Sequence, residues 1–252
     1  MADRLYADEE RPSLLFLIVD ALAFWVRSPS LFWIAALPIA GLGAAGAYWI
    51  EVDRQFVEYH RHWSWNFLFA LIYAMFLDRW TKASLLDGAT PCDEVDNLRR
   101  SIVSPRYLLG AILLLALTQA APVNIALAVV LGASFVCLFA MMLPALSASA
   151  PLPLRQAFAL SRPMQAPFFL LIAGSAALSL AAGIGLDWGT RFLPEGTWNA
   201  ALVAGLQRTI DCLLLAIVGN ALAGAFQQMT GWQQPEPDDH PYRDLPRKRR
   251  SS

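Results

Sequence analysis

From Tyr107 to Leu154 the chain reads YLLGAILLLALTQAAPVNIALAVVLGASFVCLFAMMLPALSASAPLPL, 48 residues without an Asp, Glu, Lys or Arg. One helical crossing of a bilayer core takes about 20 apolar residues. The run therefore holds two crossings and the turn between them, which is legible at Gln119-Ala120-Ala121-Pro122-Val123-Asn124. The same texture recurs on both sides. Of 252 residues, 57% are apolar and 15% are charged, against roughly 25% charged in a soluble domain. The deficit is spread along the chain, as expected of one membrane domain rather than a soluble domain with an anchor.

Working back from that run, Trp63 to Leu86 and Leu31 to Ile50 each have the length and composition of a span. Asp78, Arg79 and Lys82 close the first of these at headgroup level, with the basic side chains reaching outward. Leu14 to Val26 is only 13 residues, and Ser13, Asp20 and Arg27 recur every seven, forming one narrow polar stripe on a helix. It is expected to lie in the interface; a seventh span is the alternative. Thr90-Pro91-Cys92-Asp93 carries helix-start signals and opens a second amphipathic helix that ends near Pro105.

Working forward, the two crossings fall near 107–121 and 124–146, with Pro144 kinking or ending the second. Leu154, Ala157, Phe158 and Ser161 share a face opposite Arg155 and Arg162. They mark a third amphipathic helix, closed by Pro163. A fifth span covers about 166–186. In the last helical region, 196–230, the expected membrane part is 209–229, with 196–208 a lead-in outside the bilayer. The predicted fold is all-α: six transmembrane helices with three short interfacial ones. The chain divides into a polar leader (1–11), a helical transmembrane domain (12–230) and a proline-rich basic tail (231–252) too polar to fold alone. A short amphipathic helix and a proline (Pro29, Pro105, Pro163) precede each odd-numbered span, a weak internal repeat.

With both termini on one face, that face carries 15 of the 19 Lys and Arg residues, which the positive-inside rule assigns to the cytoplasm. The nine tryptophans fall near predicted span ends or interfacial helices, as an aromatic belt requires. The expected location is the bacterial inner membrane, multi-pass, with both termini cytoplasmic.

This layout, with Leu143-Pro144-Ala145 ending span four and Ala157-Phe158-Ala159-Leu160-Ser161-Arg162 leading into span five, resembles bacterial six-helix inner-membrane proteins similar to the membrane domain of some glycerophosphodiester phosphodiesterases. The likeness covers most of 12–230 and lies in pattern and small-residue positions. The acidic metal-binding and histidine motifs of the soluble phosphodiesterase domain have no counterpart here, so no catalytic residue carries over. The resemblance implies a helical cytoplasmic-membrane protein without an assigned reaction.

Candidates for chemistry are few. Arg208 and Asp211, i and i+3 on one helix, are the one ionisable pair in the last span, and intramembrane charge defaults to a functional hypothesis. At mid-depth the pair could bind an ion or carry protons; at the outer interface it is a structural ion pair, the cheaper placement. Asn220 and Gln119 can bridge helices. His60 and His62, near Glu51, Asp53 and Glu58, lack partners at metal-ligand spacing and fit a solvated loop. Gly41, Gly43, Gly46, Ala47, Gly219, Ala223 and Gly224 are small-residue packing faces. Arg247, Lys248, Arg249 and Arg250 could contact lipid headgroups at about 1 kcal/mol per basic residue, or serve as a topology signal alone. Cys92, Cys137 and Cys212 show no metal or disulfide pattern. No nucleophile elbow or phosphate loop occurs. A net charge of -1 gives no basis for nucleic-acid binding. The expectation is a non-enzyme without cofactor or metal, organising membrane lipid or a protein partner (itself included). The alternative is a solute or ion transporter or channel component, marked by Arg208, Asp211, Asn220 and Gln119 converging on one polar path.

Overall fold

The computed structural model describes residues 13–52, 61–86, 104–120, 124–150, 152–190, 192 and 196–232, and among these it is helical without a strand. In chain order the helices are α1 (Leu14–Arg27), α2 (Pro29–Val52), α3 (Arg61–Leu85), α4 (Pro105–Ala120), α5 (Ile125–Leu138), α6 (Met142–Ser147), α7 (Leu154–Ser161), α8 (Gln165–Thr190) and α9 (Thr197–Thr230). Three helical stretches are long and apolar enough to cross a membrane: Pro29–Trp49, Leu154–Thr190 and Trp198–Thr230. Pro105–Leu117 and Ile125–Leu138 are apolar but shorter. The second predicted amphipathic helix, the His60 region and the basic tail lie outside the described residues.

Caps fall where the sequence supplies them. The Ser13 hydroxyl accepts from the Phe16 amide at 3.1 Å and starts α1. The Asn124 side chain accepts from the Leu127 amide at 3.1 Å and starts α5. Each satisfies one of the orphan donors of a helix's first turn.

The long helix α9 is the axis of the fold. At 1.5 Å per residue its 34 residues extend about 51 Å. Small residues let its neighbours approach. A Cβ on Gly205 would meet the Ala44 side chain and the Ala40 carbonyl of α2; one on Gly219 would meet Leu77 and Thr81 of α3; one on Gly224 would meet Leu17 of α1. On α3 the i, i+4 row Phe69, Tyr73, Leu77, Thr81 and Leu85 follows α9 in register. Tyr73 bonds Asp211, Leu77 and Thr81 flank Gly219, and the Leu85 carbonyl accepts from Gln227. Thus α3 runs parallel to α9. In α2, the Tyr48 ring packs at a tilt against Trp198 while Gly43 meets Arg208, so α2 runs antiparallel to it. Likewise α4 and α5 are antiparallel, with Gly110 against Phe139 and Gly132 against Leu117. Phe24, Phe32, Phe76 and Trp80 form an edge-to-face cluster joining α1, α2 and α3, a geometry favoured by ring quadrupoles.

Four features bear on the sequence reading. The predicted 124–146 span is not one helix: it breaks at Phe139–Met141, upstream of Pro144. Pro144 has no N–H, and in a continuous helix its ring would strike the carbonyl four residues earlier, that of Ala140. The chain resolves this by turning first, with the Phe135 carbonyl accepting from both Phe139 and Ala140. The α-helical part of the third amphipathic helix, α7, ends at Ser161, just before Pro163, as expected. Pro163 sits in a 3-10 turn, Arg162–Met164, that leads into α8, where a missing N–H costs nothing because first-turn amides have no intrahelical acceptor. The last helical region, expected over 196–230, is one helix, α9, which runs unbroken through the lead-in residues. Finally, Asp78 and Trp80 point inward and are buried, whereas Trp33, Trp49, Trp188 and Trp198 are exposed as a belt requires.

Candidate functional site

One turn of α9 presents Gln207, Arg208 and Asp211 to its neighbours. The Asp211 carboxylate is the hub. Its Oδ1 accepts from the Ser179 hydroxyl of α8 at 2.6 Å and from Gln207 Nε2 at 3.0 Å. Its Oδ2 accepts from the Tyr73 hydroxyl of α3 at 3.2 Å and faces Arg208 Nη1 at 3.7 Å. Gln207 Nε2 also donates to the Ser179 carbonyl at 3.2 Å. The Arg208 guanidinium lies over the Phe69 ring, 4.2 Å from its centroid, a cation–π contact. Its stem fits only because position 43 of α2 is glycine: a Cβ there would stand 2.6 Å from Arg208 Cγ. Four helices thus meet at one ion pair whose side chains are 25% and 18% exposed.

This geometry constrains the chemistry. Asp211 receives three hydrogen bonds and one cation, so its lone pairs are engaged and its charge is balanced. A cavity of about 30 Å³ between α4, α8 and α9 touches it, lined by Leu114, Ile172, Ser175, Ser179, Asp211 and Val218 among others. That is water-sized and mostly apolar-walled. The cluster ties four helices together, and the cavity beside it is large enough for a water.

A second polar cluster escaped the sequence reading. Asp78, its side chain 8% exposed, accepts from Lys82 Nζ at 2.6 Å and from the Ser147 hydroxyl of α6 at 2.7 Å. Buried Thr81 lies one turn along α3. The buried Tyr107 hydroxyl of α4 lies near Asp78, Thr81 and Ser147. The i, i+3, i+4 spacing of Asp78, Thr81 and Lys82 was visible as one helix face. What hid the cluster was the assumption that charge at a span end faces headgroups.

Asn220 does not join these clusters. Asn220 Nδ2 donates to the Ala21 carbonyl at 3.4 Å, tying α9 to α1 more than two turns from Asp211. Gln119 lies in the last turn of α4, and its side chain is outside the described residues, as are those of His60, His62, Arg247, Lys248, Arg249 and Arg250. Cys212 is buried and Cys137 half-buried, neither in a disulfide. No group of three or more His, Cys, Asp or Glu comes together among the described residues. No family model matches the chain, and neither the curated proteins nor the solved structures contain a match.

Proposed function

We propose that this chain is a non-catalytic integral protein of the bacterial inner membrane that organises lipid or a protein partner. In this reading six helices cross the bilayer (α2, α3, α4, the broken α5–α6, α8 and α9), both termini are cytoplasmic, and α1 and α7 lie in the interface. The group it is proposed to belong with is the one similar to glycerophosphodiester phosphodiesterase membrane domains. The observation that carries the reading is the state of Asp211. A carboxylate engaged by Ser179, Gln207, Tyr73 and Arg208 at once is a helix tie, not a free acid or base. The outward faces supply the rest: Leu170, Leu178, Ile184 and Trp188 of α8 and Ile125 and Val130 of α5 are exposed apolar side chains, suited to lipid or to another membrane protein.

The second reading is a transporter or channel component. One observation favours it: the break at Phe139–Met141 interrupts a span, and interrupted spans expose backbone where transporters bind ions. Reconstitution separates the two. Purified protein in liposomes is expected to move no solute from a panel of ions, phosphate and small organic anions, and native mass spectrometry is expected to find lipid of one headgroup class retained. Flux that is lost in Asp211→Asn overturns the scaffold reading. A reporter fused after Trp232 that matures only outside the cell overturns the topology.

A further inference from the structure

The hairpin of α4 and α5 stops short of the helices beside it. Both α8 and α4 run opposite to α9. Ser179 and Gly183 of α8 meet Asp211 and Gln207; Tyr107 of α4 lies near Thr81 at the Gly219 level, and Leu114 lies by Leu214. The two helices therefore advance together, toward the face opposite the termini. Leu114 shares the water-sized cavity with Ile172, Ser175, Ala176 and Ser179 of α8. From Leu114 to the end of α4 at Ala120 is about 9 Å of helical rise, whereas from Ala176 to Trp188 is about 18 Å. The other limb agrees. A Cβ on Gly132 of α5 would meet Phe169 of α8. From Gly132 out to Ile125, where α5 begins, is about 10 Å, whereas from Phe169 to Trp188 is about 28 Å. The tip thus lies about 9–18 Å short of Trp188, the exposed ring next to exposed Asp187 where the apolar face of α8 gives way to charge.

Asn124, at that tip, is exposed and non-helical, with φ −151° and ψ 103°. Lipid-facing irregular backbone does not occur in the hydrocarbon region, where no water bonds its polar groups. A short span is accommodated by a thinner bilayer, by basic side chains reaching to the surface, or by association. No Lys or Arg occurs between Tyr107 and Leu154, which closes the second route at the tip. We propose that the leaflet opposite the termini is drawn down over α4 and α5, so that headgroups and water meet Asn124 below the level of Trp188. Leu178 of α8 provides the contrast. It lies close to the depth of the tip and is exposed, but nine residues from Phe169 it is half a turn out of phase, on the side of α8 away from α5. There the bilayer keeps its full thickness and Leu178 faces hydrocarbon. The proposal rests on the six-span reading above and deepens it: the lipids organised are those of that leaflet, and short or disordered acyl chains fit the depression best.

Spin labels on the full chain in phosphatidylcholine nanodiscs test this. With Cys92, Cys137 and Cys212 replaced by alanine, single labels at Asn124→Cys and Leu178→Cys are compared for collision with a water-soluble nickel chelate and with oxygen, which concentrates in hydrocarbon. Ile125→Cys, 76% exposed in the parent residue, repeats the tip measurement with the Asn124 cap intact. The nickel-to-oxygen ratio is expected to be several-fold higher at 124 and 125 than at 178. An oxygen-dominated tip label places the turn in hydrocarbon and overturns the depression; a tip label reached by neither reagent shows that protein covers it, and overturns it equally. Nickel reaching Leu178→Cys as freely as the tip is a different result: it sinks the membrane-spanning reading itself.

Discussion

Replacing Asp211 by alanine removes the hub of the four-helix junction, and the structure sets the size of the effect. Three hydrogen bonds go, from Ser179, Gln207 and Tyr73. At the membrane average of roughly 0.6 kcal/mol each they sum to about 2 kcal/mol. The Arg208 guanidinium is left without its partner. Breaking a fully buried pair costs about 3–5 kcal/mol, but a quarter of this side chain is exposed and the Phe69 ring still covers it, so about 1–2 kcal/mol is the reasonable share. The total is about 3–4 kcal/mol. Asp211→Asn keeps a carbonyl acceptor for Ser179 and Gln207 and is expected to cost about half as much. Arg208→Met with Asp211→Leu removes both charges and should be less damaging than Asp211→Ala alone. Reversible unfolding in mixed micelles, titrated with SDS, measures all three. An Asp211→Ala variant within about 0.5 kcal/mol of wild type would show that the junction contributes no net stability. A double variant no better than the single would show that the unpaired guanidinium is not the source.

Other substitutions probe the packing directly. Gly43→Ala places a methyl 2.6 Å from Arg208 Cγ and is expected to cost about 1–3 kcal/mol in the same unfolding assay; combined with Arg208→Ala it should cost less than the sum of the two. Gly110→Ala, whose Cβ would meet Phe139 Cδ1 at 2.7 Å, should destabilise comparably and be partly relieved by Phe139→Leu. Ser13→Ala removes the α1 cap, and faster amide exchange at Phe16 and Leu17, with a loss of about 0.5–2 kcal/mol in local opening free energy, is the expected readout. Pro144→Ala restores an N–H that can donate to the Ala140 carbonyl; slower amide exchange across Phe139–Met141 is expected, and unchanged exchange would assign the break to packing instead.

The helices themselves were legible because apolar runs, caps and turn residues are local signals. Asn124 marks the start of α5 in the sequence and caps it in the structure, and the seven-residue recurrence of Asp20 and Arg27 returns as a 3.8 Å contact. What could not be read was the depth and facing of charge. Asp78 and Lys82 share one turn, and a helical wheel does not say whether that turn faces α4 and α6 or the headgroups. The answer depends on Tyr107 and Ser147, which are remote in sequence. The Arg208–Asp211 pair was found from spacing alone, but Ser179, Tyr73 and the accommodating Gly43 belong to three other helices. The break at Phe139–Met141 was misplaced because a proline acts on the carbonyl four residues before it, so the distortion precedes the residue that causes it.

The central place of α9 also has a consequence in time. Roughly 145 residues separate the end of α2 at Val52 from the start of α9 at Thr197. At about 5–20 residues per second of synthesis, α2 waits on the order of 7–30 seconds for the helix it packs against. Through that interval the α2 face around Gly43 and the Tyr73 hydroxyl on α3 have no mate from α9. A chain ending before Thr197 would leave that α2 and α3 surface without the helix it packs against.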